Sequence, residues 1–221
     1  MFTLHDDQAP DQNESSTPLG DTLSPGFLIA SPRLDDSSFE RAIILLVHHD
    51  QYGAMGFIVN KPLTINLGEL LETADESIKG DVSPQCDDLA VQFGGPVRME
   101  QLWMIYNDIT EEGELPADID DLEEYGSLEF SHRWRLIADS NSIEDFLFGR
   151  RNDPFRPFIG YTGWGAGQLE EEMGEGSWLH VPFDPSLVFE DRDQDDAWDE
   201  VLARTGVSPL AFMMMGDLVK S

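Results

Sequence analysis

AIILLV at residues 42–47 and AMGFIV at residues 54–59 are two apolar runs separated only by HHDQYG. The first run contains no polar residue, which is typical of a strand buried on both faces. The second run has the same character, with Gly56 inside it. We therefore predict a β-hairpin, or two neighbouring strands, at residues 42–59.

Further apolar runs on both sides of this pair extend the predicted sheet. They predict strands at residues 27–30, 89–93, 102–106, 130–138, 156–161 and 177–181. Helices are predicted at residues 65–73, at 142–148 with Ser142 as N-cap, at 168–173, and at 195–205 before Gly206. The strands outnumber the short helices and do not alternate strictly with them. This order favours an α+β domain over a doubly wound sheet.

The chain divides into three parts by composition. Residues 1–24 are polar and acidic with few apolar side chains, so we predict a disordered leader. Residues 25–210 form one predicted domain. Residues 211–221 are an apolar tail with three consecutive methionines, which either docks on the domain or forms a loose end.

The charge balance restricts the function. The chain has 44 acidic and 13 basic residues, a formal net charge of −31, and residues 111–124 carry eight acidic residues and no basic one. We predict a solvated loop or frayed helix for that segment. Nucleic acids and anionic membranes are bound through Lys and Arg, so the charge argues against direct binding to either. It favours solubility, basic protein partners or divalent cations.

The N-terminal region and the cysteine content indicate a location. No Lys or Arg precedes Arg33, and no run reaches the roughly 18 apolar residues of a membrane helix. Cys86 is the only cysteine, so an intramolecular disulfide is impossible. We predict a cytoplasmic protein that does not enter the membrane.

The most unusual segment is GYTGWGAGQLE at residues 160–170, which has four glycines in eight positions between a predicted strand and a predicted helix. It matches neither the dinucleotide-binding fingerprint nor the phosphate-binding loop. The acidic residues 170–172 would also repel a bound phosphate at the helix start. Two interpretations stay open, a tight turn that packs Trp164 on the sheet or a turn that binds a ligand. A second glycine motif, Gly94-Gly95-Pro96, predicts a sharp bend at a strand end.

Residues with catalytic or metal-binding chemistry form no convincing set. The sequence lacks a Gly-x-Ser-x-Gly elbow, and the acidic neighbours of Cys86 should raise its thiol pKa. His48 and His49 point to opposite sides of an extended chain, which suits a metal poorly. We assign no catalytic residue, no metal ligand and no cofactor.

Four motifs in order resemble a known family. They are PGFLIASP at residues 25–32 with Phe39 and His48, GAMGFIVNKP at 53–62, GGPV at 94–97, and GYTGWGAGQLE at 160–170 with Trp178. Together they are similar to the YqgE/AlgH family, also called UPF0301 or DUF179. The resemblance implies a cytosolic bacterial protein with a single α+β domain, in which a bent mixed sheet forms a barrel-like core surrounded by short helices. It transfers no catalytic residue, because the family has no established one.

Three hypotheses about function follow. The first, suggested by the regulator label that family members often carry, is a non-catalytic protein that acts on transcription indirectly through a protein partner. The second is a small-molecule-binding protein or an unrecognised enzyme with a pocket where the glycine motifs converge. The predicted lining residues of that pocket are Asn60, Gly94, Gly95, Tyr161, Trp164 and Gln168. The third is a direct DNA-binding regulator, which the charge opposes.

Overall fold

A computed structural model describes residues 22–74, 82–109, 126–190 and 193–218. Within these ranges the strands are β1 (Gly26–Ala30), β2 (Ile43–Asp50), β3 (Gly53–Ile58), β4 (Pro62–Asn66), β5 (Ala90–Phe93), β6 (Val97–Asn107), β7 (Ser127–Ser131), β8 (Trp134–Ile137), β9 (Phe155–Gly165) and β10 (Trp178–Pro182). The helices are α1 (Leu67–Ala74), α2 (Ser140–Leu147), α3 (Gln168–Gly174), α4 (Ser186–Phe189), α5 (Gln194–Arg204) and α6 (Pro209–Leu218), and a 3₁₀ turn spans Pro84–Cys86.

The strands form one curled sheet in the order β10-β1-β2-β3-β9-β6-β8-β7, with β5 added beside β9 and β4 beside β5. The β5–β9 pair is parallel and the other pairs are antiparallel, so the sheet is mixed. The sheet curls into a half-barrel with helices packed around it. The prediction of a single α+β domain with a bent mixed sheet is confirmed.

Strand β9 joins the two halves of the sheet. Its first half pairs with β6 and β5, and its second half, from Thr162 to Gly165, pairs with β3. Gly160 lies between the halves with φ +69°. Only glycine adopts this conformation without strain in a strand, so it marks the corner of the sheet.

The core explains why the runs at residues 42–47 and 54–59 are uniformly apolar. Successive residues of β1 to β3 face alternate sides of the sheet, and both sides are covered. Ile43 and Leu45 belong to a cluster that reaches α4, α5 and α6, whereas Ile44 and Leu46 belong to a cluster beneath α3. A third cluster packs α1 and α2 on the other half of the sheet.

The two runs form an antiparallel hairpin, in agreement with the prediction. The predicted strand at residues 130–138 is wrong, because β7 and β8 form a hairpin that turns at His132 and Arg133. Arg133 takes φ +64°, so the turn forms without the Gly or Pro that would signal it. Ser142 is not the N-cap of α2. Asp139 is, and its carboxylate accepts a hydrogen bond from the Ser142 N–H at 2.8 Å.

Several other elements differ from expectation. The loop predicted at residues 74–88 contains the 3₁₀ turn at its described end, and Cys86 is fully buried there. Strand β4 and helix α4 were not predicted. Both are short, and β4 begins at Pro62 and alternates only weakly between buried and exposed positions.

The predicted leader, acidic segment and tail are only partly covered by the structure. Residues 1–21 of the predicted leader and residues 111–124 of the acidic segment lie outside the described residues. At the end of the leader, the Leu23 N–H donates to His49 Nδ1 at 3.1 Å, so the chain already contacts β2 there. The described part of the tail docks partly, because α6 buries Phe212 fully and leaves Met214 exposed. No helix among the described residues is long and apolar enough to span a membrane.

Candidate functional site

The two glycine motifs, at residues 94–96 and 160–170, meet at the bend of β9 near Gly160. The Gly94 N–H donates to the Ile159 carbonyl at 2.9 Å, and the Gly94 carbonyl accepts from the Ile58 N–H at 2.9 Å. A side chain at Gly160 would place its Cβ 2.3 Å from the Gly95 carbonyl oxygen. These glycines therefore allow backbone segments to cross at close range, and the space between the motifs is filled by backbone.

Tyr161 and Thr162 continue this packed region along β9. The Tyr161 ring stands edge-on to Trp103 with 5.4 Å between centroids. The Thr162 hydroxyl donates to the Gly94 carbonyl at 3.3 Å in a buried position. Gly94, Gly95 and Tyr161 are thus brought together by the fold, where backbone segments pack closely against one another.

The end of the glycine-rich motif forms a second group around Glu172 on α3. One carboxylate oxygen, Oε2, accepts from the indole N–H of Trp164 at 2.9 Å and from that of Trp178 at 2.7 Å. The other oxygen, Oε1, accepts from Gln168 Nε2 at 2.8 Å, and Gln168 Oε1 accepts from the Gly165 N–H at 3.1 Å. Both indoles are buried. The Trp164 indole N–H and the exposed Gln168 amide therefore both take part in hydrogen bonds within the fold.

Part of the segment predicted as a strand-to-helix turn is strand. Gly163 and Gly165 lie inside β9, opposite Met55 and Gly53 of β3. The turn itself is reduced to two residues before α3, and Gly167 caps that helix with φ +74°. Trp164 lies in β9 itself, opposite Ala54 of β3, and its ring packs against Trp178. The ligand-binding interpretation of the motif stays a prediction.

Asn60 lies in a different place, at the end of the β2–β3 hairpin. It is 5% exposed, and its Oδ1 accepts from the Ile43 N–H at 2.8 Å. Its Nδ2 donates to the carbonyls of Arg41 at 2.9 Å and Gln194 at 3.2 Å. Asn60 therefore clamps the start of β2 to the start of α5.

A cavity of about 200 Å³ opens beside Asn60. It is lined by Ile43, Val59, Asn60, Pro62, Ala90, Gln92, Leu187, Glu190 and Ala197. A second cavity, of about 400 Å³, lies between β10 and the end of α5. Neither of these two cavities is lined by Gly94, Gly95, Tyr161, Trp164 or Gln168, so the six predicted residues do not share either one. A ligand role for those five residues stays a prediction.

Comparison with known proteins supplies the family. The family model described as AlgH-like (DUF179) matches residues 27–210. The chain belongs to the AlgH-like family. A UPF0301 protein of Anaeromyxobacter dehalogenans strain 2CP-C is 32% identical over 196 residues, which cover 88% of this chain and 93% of that protein. A UPF0301 protein of Coxiella burnetii strain Dugway is 34% identical over 185 residues, with 84% and 90% coverage.

Solved structures agree with this AlgH-like assignment. The solution structure of the AlgH protein from Pseudomonas aeruginosa matches with a TM-score of 0.67 at 26% identity, covering 91% of this chain and 96% of the other. Protein DIP2367 from Corynebacterium diphtheriae matches with a TM-score of 0.58 at 21% identity, covering 90% and 94%, and supports the fold alone. The names of these relatives do not state an activity, a substrate or a ligand.

Cys86 and His49, two side chains of this AlgH-like chain with reactive chemistry, are engaged within the fold. Burial, followed by the charge of Asp87, raises the pKa of the Cys86 thiol to about 11, so it is a poor nucleophile at neutral pH. His49 accepts from Leu23 at Nδ1, and its Nε2 lies 2.8 Å from Glu170. This arrangement places the imidazole proton on Nε2. A backbone hydrogen bond at Glu170, then the bond from His49, lowers the pKa of that carboxyl.

A buried ion network was missed by the sequence analysis. Arg135 Nε donates to Asp108 Oδ2 at 2.9 Å, and Arg151 Nη2 donates to Asp108 Oδ1 at 3.2 Å. Arg151 Nε also donates to Asp153 at 2.8 Å. Asp108 and Arg135 are at most 4% exposed. The acidic residues are too numerous for spacing to single these out, although an arginine inside the apolar run WRLI was a usable signal.

Proposed function

We propose that this protein is a non-catalytic cytoplasmic regulator that acts on transcription indirectly, through contact with a protein partner. The observation that carries the proposal is that Lys and Arg side chains form ion pairs and hydrogen bonds within the fold. A protein that binds nucleic acid directly needs Lys and Arg side chains free to meet phosphates. In the part of the chain that the structure describes, seven cationic side chains are engaged within the fold.

Seven cationic side chains of the described residues bond to carboxylates or to backbone carbonyls. They are Arg41, Lys61, Arg135, Arg150, Arg151, Arg156 and Arg204. With a net charge of −31, the remaining surface field is strongly negative. Such a field attracts a basic protein surface and repels a phosphate backbone.

Two further observations support a binding role without catalysis. Within the glycine-rich motif, the Trp164 indole and the Gln168 amide donate to the Glu172 carboxylate of α3. Helix α6 also presents an exposed apolar face, with Leu210 at 67%, Met214 at 56% and Met215 at 42% exposure. Apolar side chains inside an acidic surface suit a partner with an apolar contact and a basic rim.

The nucleic-acid part of this proposal is tested by electrophoretic mobility shift with the purified full chain and host promoter fragments at about 50 mM salt. We expect no shift. Tight, sequence-specific binding by the protein alone refutes the indirect route.

The partner part is tested by affinity capture from the host at low salt, followed by mass spectrometry. We expect a basic protein that is released at about 0.5 M salt, where surface charges are screened. The double variant Leu210→Ser, Met214→Ser should weaken its capture, and the exposed substitution Tyr52→Ser, remote in sequence, is the control. Capture that is independent of both salt and α6 contradicts the proposed contact.

A further inference from the structure

We propose that the outer edge of β10 binds an extended segment of a basic partner protein, which adds to the sheet as a further strand. β10 stands at the end of the strand order, and within the described residues it pairs with β1 alone. The proposal rests on the protein partner inferred above, and it assigns to that partner a surface other than the exposed face of α6. The two surfaces can therefore be tested separately.

The register of β10 shows which of its backbone groups face β1. The Ser31 N–H donates to the Ser177 carbonyl at 2.9 Å, and the same register places Leu179 and Val181 opposite β1 two and four residues further on. In an antiparallel pair, residues that exchange hydrogen bonds with the neighbouring strand alternate with residues whose N–H and C=O groups point away from it. Leu179 and Val181 therefore bond to β1.

The other residues of β10 direct their main chain to the open edge. They are Trp178, His180 and Pro182, and they offer two N–H donors and three carbonyl acceptors, because proline has no N–H. A row of such groups is a template for pairing with another chain. The strand WLHVP also has none of the charged side chains that commonly protect an edge, and its proline stands at the last position. The edge is therefore suited to strand addition.

The cavity of about 400 Å³ beside β10 has the place and the lining to receive side chains of an added strand. Leu179 and Val181 form its wall on β10, and Leu187, Val201 and Val207 form apolar walls opposite. Residues paired across two strands have their Cβ atoms about 4.5–5.5 Å apart on the same face of the sheet. Side chains opposite Leu179 and Val181 would thus stand over the cavity, so the segment should be apolar at every second position.

The net charge favours a basic partner segment over a second copy of this chain. The whole chain carries a formal charge of −31, so two copies joined at this edge would repel each other. Lys and Arg on either side of the apolar positions would instead be attracted. Asp184 in the cavity lining is already paired with Arg204 at 2.9 Å. The field of the whole chain, and not one lining residue, therefore selects the sign of the segment.

Amide hydrogen exchange of the free full-length protein tests whether the edge is open. We expect the amides of Trp178 and His180 to exchange at least about tenfold faster than those of Leu179 and Val181, which donate to β1. Slow exchange at all four positions in a monomer means that the chain covers its own edge. A dimer in sedimentation velocity that His180→Pro dissociates means that a second copy covers it. Either result overturns the proposal.

Selection from a peptide library tests the occupant. The library holds peptides of about nine residues with lysine at both ends and random residues between them, and the bait is the full-length protein. We expect the selected peptides to be apolar at every second position and to slow the exchange of the Trp178 and His180 amides. Replacing both terminal lysines by glutamate should weaken binding at least about tenfold. Failure to select any peptide, or binding that leaves both amides unchanged, overturns the proposal.

Two variants of His180 isolate the backbone of the edge. His180→Pro removes the outward N–H, and proline is tolerated at an edge position whose N–H faces away from the sheet. His180→Ala keeps that N–H, and both variants lose the imidazole that lies 2.9 Å from the Leu23 carbonyl oxygen. We expect His180→Pro to bind a selected peptide about tenfold more weakly than His180→Ala, the equivalent of one hydrogen bond. Equal affinities refute strand addition.

A cavity variant keeps the test valid if His180→Pro does not fold. Val181→Phe adds side-chain volume to the cavity wall and should abolish binding of the selected peptides. Val97→Phe, the same substitution at an exposed position of β6 outside the lining, is the matched control and should leave binding unchanged. Unchanged binding in Val181→Phe refutes the site.

Capture of the host partner separates this inference from the proposed function. If His180→Pro and Val181→Phe capture the basic partner as well as the unsubstituted protein does, the edge is not its site, although the proposed function stands. If peptides bind the edge but no basic partner is captured from the host, the proposed function fails and the edge remains a peptide site.

Discussion

The carboxylate of Glu172 is the group whose removal should reveal most about the glycine-rich motif. In the variant Glu172→Ala, the indole N–H groups of Trp164 and Trp178 lose their common acceptor, and Gln168 Nε2 loses its partner. A buried donor left without a partner destabilises a protein by about 1–3 kcal/mol, which gives about 2–6 kcal/mol for two indoles. Because Glu172 itself is only half-buried, water can reach part of the space, and we expect about 2–4 kcal/mol.

The substitution Glu172→Gln separates charge from hydrogen bonding. A glutamine carbonyl can still accept from both indoles, but its NH₂ group then faces the NH₂ group of Gln168. Gln168 cannot rotate freely to relieve this contact, since its Oε1 holds the Gly165 N–H. We therefore expect Glu172→Gln to lie between the unsubstituted protein and Glu172→Ala in stability.

Equilibrium unfolding in urea, followed by tryptophan fluorescence and circular dichroism, measures the effect. With a slope of about 2–3 kcal/mol/M, a loss of about 3 kcal/mol lowers the urea midpoint by about 1 M. Glu171→Ala, an exposed neighbour on the same helix, is the control and should change the free energy of unfolding by less than about 0.5 kcal/mol. A loss below about 1 kcal/mol in Glu172→Ala, or a loss equal to that of Glu171→Ala, refutes the structural interpretation of the motif.

Three further predictions concern the corner, the thiol and the ion network. Gly160→Ala should lower the free energy of unfolding by more than about 3 kcal/mol, because the new Cβ would meet the Gly95 carbonyl oxygen. Gly167→Ala has a similar φ but open space around it, so it should lower the free energy of unfolding by only about 1 kcal/mol. Urea unfolding of the two variants measures both values. As pH rises, the Cys86 thiol ionises in the unfolded state before it does so in the folded state. The free energy of unfolding should therefore fall by up to about 2–3 kcal/mol between pH 9.0 and about 11. In Cys86→Ala, unfolding measured over the same pH range should show a smaller fall. Asp108→Asn should lower stability by about 3–5 kcal/mol in thermal unfolding, whereas Asp145→Asn, in an exposed pair, should lower it by less than about 1 kcal/mol.

The strands that could be predicted are those whose burial is uniform. The runs at residues 27–30 and 42–47 are apolar throughout because helices cover both sides of these strands, and that condition is visible in composition alone. Strand β4 and the β7–β8 hairpin lacked such a signal. The first is short and half-exposed, and the second turns at Arg133 without glycine or proline.

The residues around the candidate site also fall into those that the sequence indicated and those that it did not. Sequence singled out Asn60, the two glycine motifs and Trp164 as unusual, and each has a specific structural role. Sequence did not single out Gln92, because a lone glutamine in a strand is ordinary until its surroundings are known. Its surroundings come from distant parts of the chain, since Gln92 pairs with Pro62 of β4 and with Phe158 of β9.

By itself, the sequence determined the family, the α+β class, the acidic character and the central hairpin of this protein. Each of these depends on residue types and their order along the chain. The tertiary structure alone decided that Gly160 forms a corner of the sheet, that Glu172 joins the end of the glycine-rich segment to Trp178, and that a cavity lies beside Asn60. The reason is physical. Whether a glycine lets two backbone segments approach closely, or whether a buried oxygen lacks a hydrogen-bond donor, depends on atoms that the fold brings together from distant parts of the chain.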